Sequence, residues 1–144
     1  MRLKAFTIAL RVKSIGKCVK MDDKDKLIIA VDFDGVIHRY DKWIDEFTLD
    51  KPVKGAREYM RKLVRDGWYV IVYTCRRNLD VVRDFLRTYQ IPFHSINHNP
   101  YQPEDVGKHK IFAHVYLDDR GLRFINWKNA YSKLKKIRKN ELKK

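Results

Sequence analysis

Short apolar runs that stop abruptly at polar groups punctuate this chain. Leu27 to Val31 is unbroken and apolar, and Asp32-Phe33-Asp34-Gly35-Val36-Ile37 follows. Five residues suit a buried strand and are too few for a typical helix. Trp68 to Thr74 repeats the pattern and closes on a hydroxyl, and Ala113 to Arg120 closes on Asp118-Asp119. Between the first two runs, residues 54–66 place Ala56, Tyr59, Met60, Leu63 and Val64 at the spacing of one helix face, with Gly67 as a stop. Residues 78–89 do the same with Leu79, Val82, Leu86 and Tyr89. Asn78 stands as N-cap and Pro92 bars continuation. Residues 93–97 suit a short further strand. Strand, helix, strand, helix, strand predicts an α/β fold, a largely parallel sheet with helical crossovers in Rossmann-like order. No Gly-x-Gly-x-x-Gly loop is present, so a dinucleotide reading fails.

The polar ends of these runs carry the chemistry. Asp32 and Asp34 are two apart, and on a continuing strand they would share a face. Like charges that close need a cation or a shared proton at neutral pH. Carboxylates and backbone carbonyls suit a hard ion such as Mg²⁺. In open α/β sheets ligands bind beyond the C-terminal strand ends, so Asp32, Asp34, Thr74, Asp118 and Asp119 would converge. Lys108 and Lys110 lie shortly before the last run.

In this order the motifs resemble those of the haloacid dehalogenase (HAD) superfamily of phosphohydrolases. Asp32-Phe33-Asp34-Gly35-Val36 is similar to the first motif, Thr74 to the second, Lys108 or Lys110 to the third and Asp118-Asp119 to the fourth. The resemblance spans roughly residues 27–125. It implies a three-layer fold with helices on both faces of the sheet. Asp32 would be a nucleophile forming an aspartyl-phosphate, and Asp34 a general acid and then a base. Mg²⁺ would lie among Asp32, the Asp34 carbonyl and Asp118 or Asp119. Thr74 and the amides after it, including those of Cys75 and Arg76, would hold phosphate oxygens. A lysine, Lys110 in preference to Lys108, would neutralise charge at the phosphoryl group. Neither residues 38–53 nor residues 76–107 leave room for a cap domain, so the expected architecture is capless with an open site. Water exclusion then falls to a large substrate or a partner subunit, making a homo-oligomer an expectation. The same openness disfavours a dehalogenase or a mutase.

Charge alters the picture at the two ends. The net charge is +14, divided as +5 over residues 1–26, +1 over 27–122 and +8 over 123–144. Basic ends attract polyanions such as nucleic acid, but without an accompanying binding motif a solvated lysine-rich surface is the plainer expectation. The alternation of Phe6, Ile8, Leu10 and Val12 with polar residues suggests an edge strand in a basic extension, residues 1–26, ahead of a catalytic domain at 27–144. The final segment, with Trp127, Tyr131, Leu134 and Arg138 at helical spacing, is expected to pack one stripe on the sheet. Cys18 and Cys75 form no metal or redox spacing, and Cys75 reads as a small packed thiol. With no membrane-length apolar run and no secretory signal, a cytoplasmic protein without membrane contact is expected. The leading expectation is thus a Mg²⁺-dependent phosphatase acting on a nucleotide, a nucleic-acid end or a small metabolite phosphate. Its alternative is a non-catalytic scaffold that holds nucleic acid through basic ends.

Overall fold

A computed structural model describes residues 26–141, so the alternating N-terminal segment and Cys18 lie outside the described residues. The elements in chain order are β1 (Ile28–Asp32), α1 (Ala56–Arg65), β2 (Tyr69–Tyr73), α2 (Leu79–Thr88), β3 (Ser95–Ile96), β4 (Val115–Leu117) and α3 (Trp127–Glu141). The four strands form one parallel sheet in the order β3-β2-β1-β4. This is an α/β fold with Rossmann-like layering, and the described residues contain no cap domain.

The strand order dictates where the layers go. From β1 to β2 to β3 the chain steps in one direction, and right-handed crossovers then place α1 and α2 on the same face. Strand alternation supplies that face with Ile29, Val31, Val70 and Val72. They pack with Met60 of α1 and with Val82, Phe85 and Leu86 of α2. Each helix carries a local signal at one end. The Asn78 side chain accepts from the amides of Asp80 and Val81, and Gly67, at φ 91°, turns the chain out of α1.

The step from β3 to β4 reverses direction and crosses to the far side of β1. Its connection covers the other face, where Ile28, Ala30 and Ile71 meet Ala113, Tyr101 and Ile111. Among the described residues no helical one joins that cluster, and the part of this third layer that they form is irregular chain. Pro100, Pro103 and Gly107 deny the connection a continuous helix. Two histidines tie it down. His94 and His114 each donate a backbone N–H to the carbonyl of Val70 or Ile28, and each accepts that residue's N–H at ring Nδ1, at 2.9 and 3.0 Å.

The sheet edge at β4 and the helix after it depart from expectation. Tyr116 and Leu117 are more than two-fifths exposed, and the stripe Trp127, Tyr131, Leu134 faces solvent instead of packing on the sheet. Among the residues of α3 whose burial is described, only Ala130 is buried. Arg138 falls within the face formed by Trp127, Ala130, Tyr131, Leu134 and Ile137, with Lys133, Lys135, Lys136 and Lys139 around the rest of the helix, so no unbroken apolar face is left to dock.

Residues 38–53 form the hairpin-sized excursion that the sequence allowed. His38 and Pro52 make an antiparallel bridge, flanked by Arg39 N–H to Lys51 O and Val53 N–H to Ile37 O. Residues 40–50 extend beyond it as a flap.

Candidate functional site

The neighbours of β1 are reached in opposite directions, so a crevice opens at the C-terminal ends of β1 and β4. Register decides what enters it. Asp32 is paired with Tyr73 of β2, and Val31 with Leu117 of β4, so Asp118 emerges beside Asp32. One carboxylate oxygen from each of Asp32, Asp118 and Asp119 lies within 4.8 Å of the other two. Gly35 makes room for the third: its φ is +88°, and a Cβ there would strike the Asp119 carboxylate, 2.8 Å from its Cγ.

The three carboxylates are held differently. Tyr73 donates its hydroxyl to Asp118, and the Arg120 N–H reaches the other Asp118 oxygen at 2.7 Å. These donors keep Asp118 below the usual carboxylate range. Burial and the same carboxylate push the Tyr73 hydroxyl up, so it stays a donor. Asp32 accepts one N–H from Phe33 at 2.8 Å. Burial, with repulsion from Asp118, Asp119 and Asp34 added, overrides that bond and raises Asp32 to about 6.

Asp34 stands apart from this triad and is fully partnered. Arg76 grips it through Nε at 3.0 and 3.1 Å and Nη2 at 2.9 Å. His38 accepts the Asp50 N–H at Nε2, so its Nδ1 carries the proton donated to Asp34 at 2.8 Å. Burial would raise Asp34, but the His38 and Arg76 hydrogen bonds and the Arg76 charge together outweigh it and hold the carboxyl below its ordinary range. Arg76 is itself buried and also fastens the flap. Its Nη1 donates to the carbonyls of Asp45 and Glu46 at 3.3 Å, and its guanidinium lies 4.9 Å from the Trp43 ring. Glu46 accepts from the amides of Arg77 and Asn78, joining the flap to the start of α2.

These groups line a pocket of about 240 Å³ formed by Asp32, Asp34, Tyr40, Trp43, Tyr73, Cys75, Arg76, Asp118 and Arg120. Larger hollows lie behind the flap and beside α1, and neither is lined by the converging carboxylates.

Of the residues expected from sequence, Asp32, Asp34, Cys75, Arg76 and Asp118 meet in this pocket, with Asp119 in the triad. Cys75 is exposed at its wall, not packed as expected, because it follows the strand end and the backbone turns outward there. Thr74 is buried and does not line the pocket. Its Oγ1 accepts the Arg76 N–H at 3.1 Å, and Asn97 clamps its backbone N–H and C=O at 2.8 Å each. The two lysines are not brought to the carboxylates. Lys110 stands over the Tyr116 ring, 5.2 Å from its centroid, in a separate hollow, and Lys108 lines neither. Both ride on the irregular connection, whose course no periodicity fixes. Asn99 is buried and structural, bonding Phe112 O and Tyr101 N.

Tyr73, Arg120, His38, Tyr40 and Trp43 were not foreseen. Tyr73 and Arg120 directly adjoin Thr74 and the Asp pair, which is the signal that could have found them. His38 follows Asp34 by four residues. Tyr40 and Trp43 enter only because the flap folds back, and no local signal marks that.

No protein-family model matches the chain, and no curated protein matches it in sequence. Its fold is similar to the solved structure of a conserved protein coded by a locus from Bacteroides thetaiotaomicron. The identity is 23%, the match covers 78% of this chain and 92% of that one, and the TM-score is 0.57. That likeness concerns the fold alone.

Proposed function

We propose that the chain is a Mg²⁺-dependent phosphohydrolase of the HAD type that cleaves phosphomonoesters through Asp32. The observation that carries this reading is the triad: three carboxylates from two strand ends, gathered at the switch point of a parallel sheet. The donor set suits Mg²⁺, which favours carboxylate oxygens. Among the described ion pairs of these four carboxylates, Asp34 has a cationic partner in Arg76 and the triad has none, so the triad's mutual repulsion is left for a divalent ion to relieve. Asp32, Asp118 and Asp119 would hold it, and when bound it would draw charge from a phosphoryl oxygen.

The side chains divide the remaining work. Asp32 attacks phosphorus with a carboxylate oxygen, the ester P–O bond breaks as the leaving oxygen takes a proton from Asp34 in its acid form, and an aspartyl-phosphate remains. Water then opens that acyl-phosphate, returning Asp32 and releasing inorganic phosphate. As held here, Asp34 is a base, ready to take the proton of that water. To act first as an acid it must lose Arg76, and an incoming phosphate competing for the guanidinium is the group that would take it. Arg76 and Arg120 supply the positive charge that the resemblance assigns to a lysine.

Phosphate release from an aryl phosphate tests the reading, run with Mg²⁺, with chelator, and on Asp32→Asn. Turnover that needs Mg²⁺ and vanishes in the variant is expected. Metal-independent turnover, or turnover that survives Asp32→Asn, would overturn it.

A further inference from the structure

From Arg120 through Asn140 the chain carries eight Lys and Arg, Arg120 included, and no Asp or Glu. The same stretch leaves Phe124, Trp127 and Tyr131 exposed by 60%, 76% and 63%. A helix docked on a sheet buries its aromatic stripe, and α3 does not. Its rings are interleaved with cations. Lys128 and Lys135 lie one turn to either side of Tyr131, and Lys135 Nζ stands 5.2 Å from that ring's centroid. Phe124 meets Trp127 edge to face at 5.5 Å. Alternating rings and cations are what a single strand of nucleic acid requires: bases of any identity stack on the rings, and phosphates meet the cations. The run also starts at the site. Arg120 lines the pocket, and Trp127, seven residues on, lies within roughly 25 Å of it by chain length.

We propose that α3 and its lead-in from Arg120 bind single-stranded nucleic acid and present its terminal phosphate to Asp32. Delivery rests on the phosphohydrolase reading; the binding does not. Charge complementarity selects this occupant. A second copy meeting the same surface symmetrically would oppose two sets of uncompensated cations. A helix lying on lipid needs an unbroken apolar face, whereas here Arg138 stands within the face formed by Trp127, Ala130, Tyr131, Leu134 and Ile137.

The test is fluorescence anisotropy with a labelled thymidine strand of about 12 nucleotides, phosphorylated at either end, at near-physiological salt. Aryl-phosphate turnover and sedimentation are measured on the same preparations. Trp127→Ala and Tyr131→Ala should each weaken binding roughly tenfold, and Trp127→Phe should retain most of it. Exchanging Lys128 and Lys135 for Gln should lower the slope of log affinity against log salt by roughly 0.7 for each phosphate no longer neutralised. Phosphate should be released from the strand more efficiently by the wild type than by the Ala variants. Unchanged affinity in both Ala variants would overturn the proposal. So would binding to anionic phosphatidylserine vesicles with none to the strand, or a dimer that Trp127→Ala dissociates while strand binding persists. An equal fall in aryl-phosphate turnover would assign the loss to the site and also overturn it. Strand binding that depends on α3 in a protein without aryl-phosphate turnover would uphold the surface and sink the phosphohydrolase reading alone.

Discussion

The two sides of the sheet's first strand are built by opposite means. Toward β2 and β3, apolar faces of two helices close over alternating Val and Ile, and Phe33, Val72, Val82 and Leu86 are fully buried. Toward β4, three exposed residues form the strand, irregular chain covers the sheet face, and α3 stands in solvent among lysines. Asp32 belongs to the first side, and Asp118 and Asp119 to the second. The candidate site therefore lies on the seam between a stiffly packed half and a sparsely packed one. Stability and chemistry are separable here, because the residues that hold the fold are not those that face the ligand.

The largest test of that contrast is truncation of matched leucines. Leu86→Ala, in α2, should cost about 2–5 kcal/mol in chemical denaturation, and Leu134→Ala, in α3, less than about 0.5 kcal/mol. Equal costs would mean that α3 is packed as firmly as α2. At the seam, His38→Ala should cost on the order of 1–3 kcal/mol, because it strips a donor from Asp34 and leaves the Asp50 N–H without its acceptor. Its replacement by Gln, which can both donate and accept, should recover part of that loss.

Asp32→Asn sharpens the comparison from the other direction. Turnover should fall by more than about a thousandfold, while the metal-free fold at pH 7 becomes more stable by on the order of 1–2 kcal/mol. The sign follows from the raised carboxyl. Asp32 titrates at about 6 when folded against an ordinary 3.8, so its ionised form penalises the fold fully above about 6. That penalty is relieved as pH falls toward 3.8, and the variant's advantage should vanish there in thermal melts. Asp34 and Asp118, both lowered, act oppositely: their stabilisation is complete above 3.8 and is lost only as pH falls through their folded values. Calorimetric Mg²⁺ titrations should accordingly show affinity climbing as pH rises through about 6. A modest effect remains on the packed side. Asn78→Ala removes a cap on α2 and should cost about 1 kcal/mol with turnover unchanged.

Legibility followed the same seam. Period and punctuation are local, so the reading of residues 54–66 and 78–89 matched α1 and α2 to within two residues at each end. Asn78 as cap and Gly67 as stop were equally readable. The carboxylates were readable because each terminates an apolar run. Lys110 was not, since its position depends on an irregular connection without periodicity. Nor was Arg76 as the buried partner of Asp34. An arginine after a strand end is compatible with solvent, a cap or an ion pair, and only the returning flap removes the first choice.

The sequence by itself determined the elements, their order, and which residues end the strands, because hydrophobic period, caps and turn residues act over a few positions. Tertiary structure alone decided that β4 lies beside β1, which gathers Asp32 with Asp118 and Asp119. It alone decided that Asp34 is taken by Arg76 and His38, and that the aromatic stripe of α3 stays in solvent. Those outcomes depend on strand register, crossover direction and the desolvation of charge, and each is a property of segments that meet far apart in sequence.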